Sequence, residues 1–146
     1  MEQLVHEMKV LQASTFALYL KTHNYHWNVE GVHFPQFHGF FEDLYTELWT
    51  AVDPIAENIR KLGSFAPGSL TRFAELSIIE DEMKIPLALD MIAKIHDDNE
   101  KVIGLLYRVY EFAEGAQELG LSNFIQDRID VHKKHAWMLR SILRRN

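Results

Sequence analysis

The chain has 146 residues and no cysteine, and its 21 acidic and 15 basic residues give a formal net charge of −6. This length predicts a single domain over residues 1–146 with a hydrophobic core, and the content of 47% apolar and 25% charged residues excludes disordered and low-complexity proteins. The missing cysteines exclude disulfide scaffolds, thiolate zinc sites and cysteine nucleophiles, and the acidic balance disfavours DNA as a partner because it repels phosphates.

Two long apolar stripes with helical spacing occupy the first half of the chain. The first covers residues 4–25 and predicts a helix that ends near Gly31. The second covers residues 37–62 and predicts a helix that ends at Gly63. Pro54 removes one hydrogen bond inside this helix, but the stripe keeps its phase across the proline. We therefore expect one kinked helix rather than two abutting helices.

The second half of the chain predicts two more long helices. Residues 63–70 combine glycine, proline and serine and read as a connection, with residues 71–76 forming one short helix. A third long helix is expected to start near Pro86 and to end in the region 115–120. The last helix carries the apolar stripe of residues 124–143. Four long helices with one longer central connection predict an all-α, antiparallel four-helix bundle.

Neither a targeting segment nor a membrane segment is recognisable. Residues 1–6 lack the basic region and apolar run of a signal peptide, and no stretch approaches the ~18 apolar residues of a membrane helix. We expect a soluble, cytoplasmic protein with no membrane association.

Four potential ligands share one flank of the second helix. His38, Glu42, Asp53 and Glu57 follow each other at spacings of four, eleven and four residues, which places their side chains on one side of the helix. The plain alternative is a solvated face with ordinary i,i+4 pairs. The helical rise separates Glu42 from Asp53 by roughly 16 Å, too far for one metal centre to contact both.

These residues therefore form two half-sites, His38/Glu42 and Asp53/Glu57. A second copy of the helix, antiparallel across a two-fold axis, would join each half-site to its complement and give two identical sites per dimer. His26, at the end of the first helix, is the natural third donor for the His38/Glu42 end. Imidazole with carboxylate favours iron, with zinc and manganese as lesser options.

The residues around these ligands carry a family resemblance. The sequence His-Trp-Asn-Val-Glu-Gly at residues 26–31 is followed by Phe34, by the acidic and histidine ligands, and by Ile-Arg-Lys-Leu-Gly at residues 59–63. Together with Trp-Met-Leu at residues 137–139, this pattern strongly resembles the Dps family of ferritin-like mini-ferritins and extends over most of the chain.

The resemblance implies a ferritin-like four-helix subunit, with a short extra helix between the second and third, that assembles into a hollow dodecamer. It implies ferroxidase activity: oxidation of Fe(II), preferably with hydrogen peroxide, and storage of ferric mineral, which protects against oxidative stress. Each site would take His26, His38 and Glu42 from one subunit and Asp53 and Glu57 from its neighbour. Family members commonly have Asp where this chain has Glu42, so the length of that ligand differs.

Further family features map onto other residues. Trp27 and Trp137 resemble family tryptophans, and Trp27 adjoins a ligand, so it is a candidate electron donor; simple packing at interfaces is the alternative. Acidic candidates for an iron-entry pore near the start of the last helix are Glu118, Asp127 and Asp130. His132 and His135 form an i,i+3 pair, for which we favour a solvated surface position over a second metal site.

The sequence also raises one alternative type of metal site and two alternative functions. An intrasubunit di-iron site of the ordinary ferritin type is disfavoured, because the only Glu-x-x-His string, at residues 30–33, contains a loop glycine. A non-enzymatic structural or adhesive shell with a vestigial metal site is the main alternative. A nucleoid-compacting role is disfavoured, because no lysine-rich tail precedes the first helix. The only basic cluster, Arg140, Arg144 and Arg145, equally suits the end of a helix.

Overall fold

The structure, a computed structural model, describes residues 1–144. The described part contains five helices and no strand: α1 Glu2–Asn28, α2 Phe34–Lys61, α3 Leu70–Leu76, α4 Ala88–Gly115 and α5 Leu119–Leu143. Arg145, one member of the basic cluster in the sequence, lies outside the described residues. The predicted all-α fold and the predicted short helix in the central connection are confirmed.

Two helical hairpins build the bundle. The short connection at residues 29–33 joins α1 to α2, and residues 116–118 join α4 to α5. Helices that pack together across such short turns run antiparallel. The hairpins meet where α1 packs on α4, and the short α3 packs on α1. The long segment 62–87 contains α3 and connects the hairpins over the outside of α1.

The apolar stripes form the core. Burial of each large apolar side chain contributes about 1.5–3 kcal/mol, so the shared interior dominates the stability of these helices. No helix within residues 1–144 is long and apolar enough to span a membrane. Fully buried side chains from three of the long helices include Leu11, Leu18, Tyr25, Phe41, Leu48, Ile55, Ile92 and Ile95.

A glycine ends α2 as the sequence predicts. Gly63 has φ +88°, a conformation that favours glycine because it has no Cβ. Its N–H donates to the carbonyl of Arg60 at 3.0 Å, and the N–H of Ser64 donates to the carbonyl of Ile59 at 3.3 Å. This pair of bonds is the Schellman motif, and it satisfies carbonyls that the helix end would leave unpaired.

The helix α2 runs through Pro54 as one element, as predicted. The proline has no N–H to give to the carbonyl of Thr50. Ala51 and Ile55, on either side of it, are buried in the core, and the side-chain amide of Asn58 donates to the carbonyl of Pro54 at 2.9 Å. Packing of the stripe on both sides of Pro54 therefore keeps the helix continuous.

Two helix starts differ from the prediction. Helix α4 begins at Ala88 rather than at Pro86, because Leu87 is extended, with ψ 155°, and forms the N-cap. Helix α5 already begins at Leu119. The turn before it is made by Gln117 with φ +56° and not by a glycine.

Candidate metal centre

His26 and His38 face each other where α1 ends and α2 begins. The Nδ1 atom of His26 lies 2.8 Å from the carbonyl oxygen of His38, and the Nδ1 atom of His38 lies 2.7 Å from the carbonyl oxygen of His26. The two rings stack with centroids 3.8 Å apart at an angle of 16°. The tight connection at residues 29–33 brings the two helix ends together and makes this mutual arrangement possible.

These hydrogen bonds define the tautomer of both rings. A carbonyl oxygen only accepts, so each Nδ1 carries the hydrogen and each neutral ring has its lone pair on Nε2. Histidines that bind metals are held in the same way, by a hydrogen bond from the nitrogen that does not bind. The structure therefore leaves Nε2, and not Nδ1, of both imidazoles as the nitrogen that could bind a metal ion.

Glu42 completes this end of α2. Its Oε1 atom lies 4.0 Å from Nε2 of His26, which is too long for a hydrogen bond. Two ligand bonds of about 2.1 Å to one cation would span this distance. The carboxylate is exposed, whereas His26 is buried and His38 is half-buried.

Asp53 and Glu57 are not part of this group. Both are exposed on α2, about three helical turns beyond Glu42, and neither forms a hydrogen bond or ion pair within residues 1–144. In the same part of the chain, no three His, Asp or Glu side chains converge closely enough to hold a metal ion. One subunit thus carries the five predicted ligands as two separate groups.

A column of aromatic rings lies beside the histidine pair. Trp27 is 59% exposed and packs on His23 with centroids 4.0 Å apart, rather than on the adjacent His26. The other face of His23 stacks on Tyr45 at 3.8 Å and 12°. Burial, followed by the neighbouring His26, lowers the pKa of His23, and Glu42 opposes this shift. His23 is therefore favoured in its neutral form.

Sequence reasoning missed this column, although the sequence contains a signal for it. Tyr19, His23 and Trp27 follow each other at spacings of four residues on α1, and Tyr45 and Trp49 do so on α2. Side chains four residues apart on a helix are neighbours, so the two aromatic series predict two ring stacks. Their contact across the hairpin depends on the packing of α1 on α2.

The predicted surface position of His132 and His135 is wrong. Both lie in the bundle interior, with 1% and 8% of their surface exposed. The Nε2 atom of His135 lies 2.8 Å from Oε1 of Glu47, and Arg128 donates to Glu47 and lies 3.0 Å from Nε2 of His132. The partner residue Glu47 is on α2, far away in sequence, so the local spacing on α5 could not indicate this burial.

This interior cluster satisfies its own charges. Burial alone would raise the pKa of Glu47, but hydrogen bonds from His135 and Arg128 and their charges lower it to about 2. Burial, followed by the charges of Arg128 and His135, lowers the pKa of His132 far below its ordinary value. Asn99 on α4 contacts His132 twice. Its side-chain N–H donates to the backbone carbonyl of His132, and its Oδ1 atom lies 2.7 Å from Nδ1 of the His132 ring. Arg128, and not His132, is therefore the cation that lies next to Glu47 on this side of the cluster.

The candidate pore residues lie at the beginning and middle of α5. Glu118 is the half-buried N-cap of the helix. Asp127 and Asp130 are exposed. Trp137, near the other end of α5, is also exposed, so all of these side chains except Glu118 are open to contact with other molecules.

The chain is similar to proteins of known family over nearly its whole length. The family model of the ferritin-like domain matches residues 6–146. DNA protection during starvation protein 2 of Bacillus anthracis is 32% identical over 142 residues, which cover 97% of each chain. The crystal structure of Dps from Staphylococcus aureus has a TM-score of 0.94 and 31% identity over 98% of this chain and 96% of that chain.

The Dps protein of Vibrio cholerae superimposes with a TM-score of 0.93 at 25% identity, over 97% of this chain and 89% of that chain. That protein is described as a member of a broad superfamily of ferritin-like diiron-carboxylate proteins. The sequence and fold similarities agree with the arrangement of helices around the histidine pair. The chain is therefore a member of the ferritin-like proteins and, among them, of the Dps family.

Proposed function

We propose that the protein binds Fe(II), oxidises it with hydrogen peroxide and stores the ferric product inside a shell of identical subunits. The observation that carries this proposal is the pair of hydrogen bonds that fixes His26 and His38 through their Nδ1 atoms, with Nε2 of His26 4.0 Å from the Glu42 carboxylate. Two imidazoles and a carboxylate suit iron. The description of Vibrio cholerae Dps as a diiron-carboxylate protein supports the choice of metal.

We propose that each site is completed by a second copy of the chain. Asp53 and Glu57 are exposed carboxylates without partners within residues 1–144, and the His26, His38 and Glu42 group has too few oxygen ligands for a diiron centre. A two-fold axis that brings Asp53 and Glu57 of the partner subunit to the histidines supplies them, and by symmetry it builds two equal sites.

In the proposed oxidation of Fe(II), the carboxylates and the imidazoles of the site have different roles. Two Fe(II) ions each give one electron to hydrogen peroxide, whose O–O bond breaks to form two hydroxide ions. The carboxylates favour the higher charge of Fe(III), while the imidazoles retain Fe(II) before oxidation. The resulting Fe(III) hydrolyses and is stored as mineral. Glu118, Asp127 and Asp130 are proposed to line the route by which Fe(II) enters the shell.

A dodecamer is the proposed assembly. Trp27, Phe34 and Trp49 are large aromatic side chains exposed on the α1/α2 hairpin, and exposed apolar surface of this kind marks contacts between proteins. The resemblance to the Dps family implies the same assembly. We further propose that the shell is cytoplasmic.

Anaerobic titration with Fe(II), followed by hydrogen peroxide, tests this function. We expect Fe(II) binding and an oxidation rate above that of iron in buffer, and loss of both in His26→Ala. His6→Ala is the matched control, because His6 is exposed on α1 away from the hairpin turn, and it should behave as wild type. A protein that assembles but neither binds Fe(II) nor accelerates its oxidation would support the non-enzymatic shell instead.

A further inference from the structure

Arg128 lies inside the bundle among side chains of the kind that bind metal ions. Its guanidinium is buried, and both of its terminal nitrogens donate to the Glu47 carboxylate, Nη2 at 3.2 Å from Oε1. The same Nη2 lies 3.0 Å from Nε2 of His132. The Oε1 atom of Glu47 also lies 2.8 Å from Nε2 of His135. A carboxylate and an imidazole thus hold one cation, and a second imidazole contacts the same carboxylate oxygen.

The hydrogen bonds around His132 direct a lone pair at this cation. The side-chain N–H of Asn99 donates to the backbone carbonyl of His132, so the amide oxygen of Asn99 faces Nδ1 of the ring. Because an amide oxygen only accepts, Nδ1 carries the hydrogen and Nε2 carries the lone pair. Histidines that bind metals are held by the same kind of bond from the nitrogen that does not bind. His132 is therefore oriented as a ligand, with Arg128 in the place of the metal.

The guanidinium holds these donors farther apart than a metal ion would. The contacts of Nη2 with Glu47 and His132 are 3.2 and 3.0 Å, whereas zinc–oxygen and zinc–nitrogen bonds are about 2.0–2.2 Å. Each donor would have to move inward by about 1 Å to bind an ion at this point. This spacing agrees with the finding that no three ligand side chains converge within residues 1–144.

The cluster also has a path to the surface. A cavity of about 360 Å³ between α2 and α5 is lined by Glu47 and His135 in the interior and by Asp43 and Lys134, which are exposed. Proteins of the ferritin-like di-iron type bind their metals in the bundle core through inward-facing Glu and His side chains. Glu47 and the two histidines are such donors in such a place, and an ion could reach them through this cavity.

We propose that Glu47, His132 and His135 form a metal-binding set of donors whose metal position is filled by Arg128, so that the guanidinium excludes divalent cations from the bundle interior. Removal of the guanidinium should convert the cluster into a site for one divalent cation. The Glu47 carboxylate and Nε2 of His132 would bind it directly, and His135 can join them in the tautomer that carries its hydrogen on Nδ1. The inference goes beyond the proposed iron oxidation and does not depend on it, because the two sites have no residue in common.

Titration of the assembled protein with Co²⁺ tests the assignment. His26→Ala serves as the background, because it disables the proposed centre on the hairpin and leaves the interior cluster intact. In this background, Arg128→Ala should bind one additional Co²⁺ per subunit, measured by equilibrium dialysis and by the absorption of Co²⁺ with nitrogen and oxygen ligands. Zn²⁺ should raise the midpoint of its thermal unfolding by several degrees, because an ion that binds only the folded chain stabilises it. The chain that retains Arg128 should show neither effect.

Two further variants control for the loss of an arginine as such. Arg108→Ala removes the partner of the buried Glu7, an ion pair with no histidine partner within residues 1–144, and it should gain no Co²⁺. Adding His132→Ala to Arg128→Ala should abolish the additional binding.

Three results would overturn the proposal. One is an Arg128→Ala chain that gains no Co²⁺, or gains it equally without His132. Another is metal binding at His132 in the chain that retains Arg128. The third is an Arg128→Ala chain that fails to fold even with saturating Zn²⁺, because the bound ion should restore the positive charge next to Glu47.

Discussion

His26 and His38 are twelve residues apart, and each donates its Nδ1 hydrogen to the backbone carbonyl of the other. Neither ring can turn without losing its hydrogen bond to the backbone of the other residue. The pair therefore joins two structural tasks, closing the α1/α2 hairpin and keeping both Nε2 atoms available. Loss of such a hydrogen bond around a metal ligand typically weakens metal affinity by about 10–100-fold.

Mixed dimers test whether the site is shared between subunits. In a shared site, a dimer of one His38→Ala subunit with one Asp53→Ala subunit has one centre with both defects and one intact centre. We expect controlled mixed dimers to recover about half of the wild-type oxidation rate, because one of the two symmetric sites survives. The two homogeneous variants should both be inactive, and the rate of peroxide-dependent Fe(II) oxidation measures the difference.

Two controls make this experiment decisive. Mixed dimers of wild type with the double variant His38→Ala/Asp53→Ala have both shared centres broken, so they should be inactive, whereas an intrasubunit site would leave half of the activity. Native mass spectrometry confirms that each mixture assembles. Absence of recovery in the first mixture, with assembly intact, would mean that each subunit holds its own site.

Helical spacing alone predicted the bundle and the grouping of His38 with Glu42 on α2, because both depend on periodicity within one helix. It could not predict the bonds between His26 and His38, which require the close approach of two helix ends. The predicted surface position of His135 was wrong, because the residue that binds its ring in the interior, Glu47, is 88 residues away in sequence. Local spacing contains no information on such a contact, and charged neighbours on α5 resemble those of a surface helix.

Acid should destabilise the protein in two steps. The pKa of His132 is lowered in the fold, so below pH 6.5 the unfolded chain binds a proton at His132 that the folded chain does not bind. The free energy of unfolding therefore falls as the pH drops below 6.5. The pKa of Glu47 falls from 4.5 to about 2, so its contribution is lost between these values. With partial solvent screening we expect this second contribution to be about 1–3 kcal/mol.

Glu47→Gln isolates the second step. It should lose about 1–3 kcal/mol at pH 7, because Arg128 remains buried without its counter-charge, and its stability should change less than that of wild type between pH 4.5 and 2. Glu75→Gln breaks the exposed pair with Arg72 and should change stability by less than about 0.5 kcal/mol. Chemical unfolding at fixed protein concentration measures both. Equal acid profiles for wild type and Glu47→Gln would contradict the role of Glu47.

The connection between α3 and α4 should depend on Tyr25. The phenol of Tyr25 donates to Oε1 of Glu82 at 2.7 Å, and Lys21 donates to the carbonyl of Glu80 at 3.0 Å. Tyr25→Phe should cost about 1–3 kcal/mol, because it removes a hydrogen bond to a carboxylate, and should speed tryptic cleavage after Lys84. Tyr107→Phe, at an exposed position on α4, is the control. Unchanged cleavage in Tyr25→Phe would contradict this dependence, and it would mean that the other contacts of the segment, such as that of Lys94 with Glu82 at 3.1 Å, are enough to hold it.

The chain should not bind DNA, although its relative in Bacillus anthracis is named DNA protection during starvation protein 2. Its net charge of −6 repels the phosphate backbone, and each further copy in a shell adds to this repulsion. We expect no gel shift even at low salt, where electrostatic binding is strongest. A shift that disappears in Arg140→Gln/Arg144→Gln would contradict this expectation and would assign DNA binding to the end of α5, because cations there would then outweigh the acidic surface.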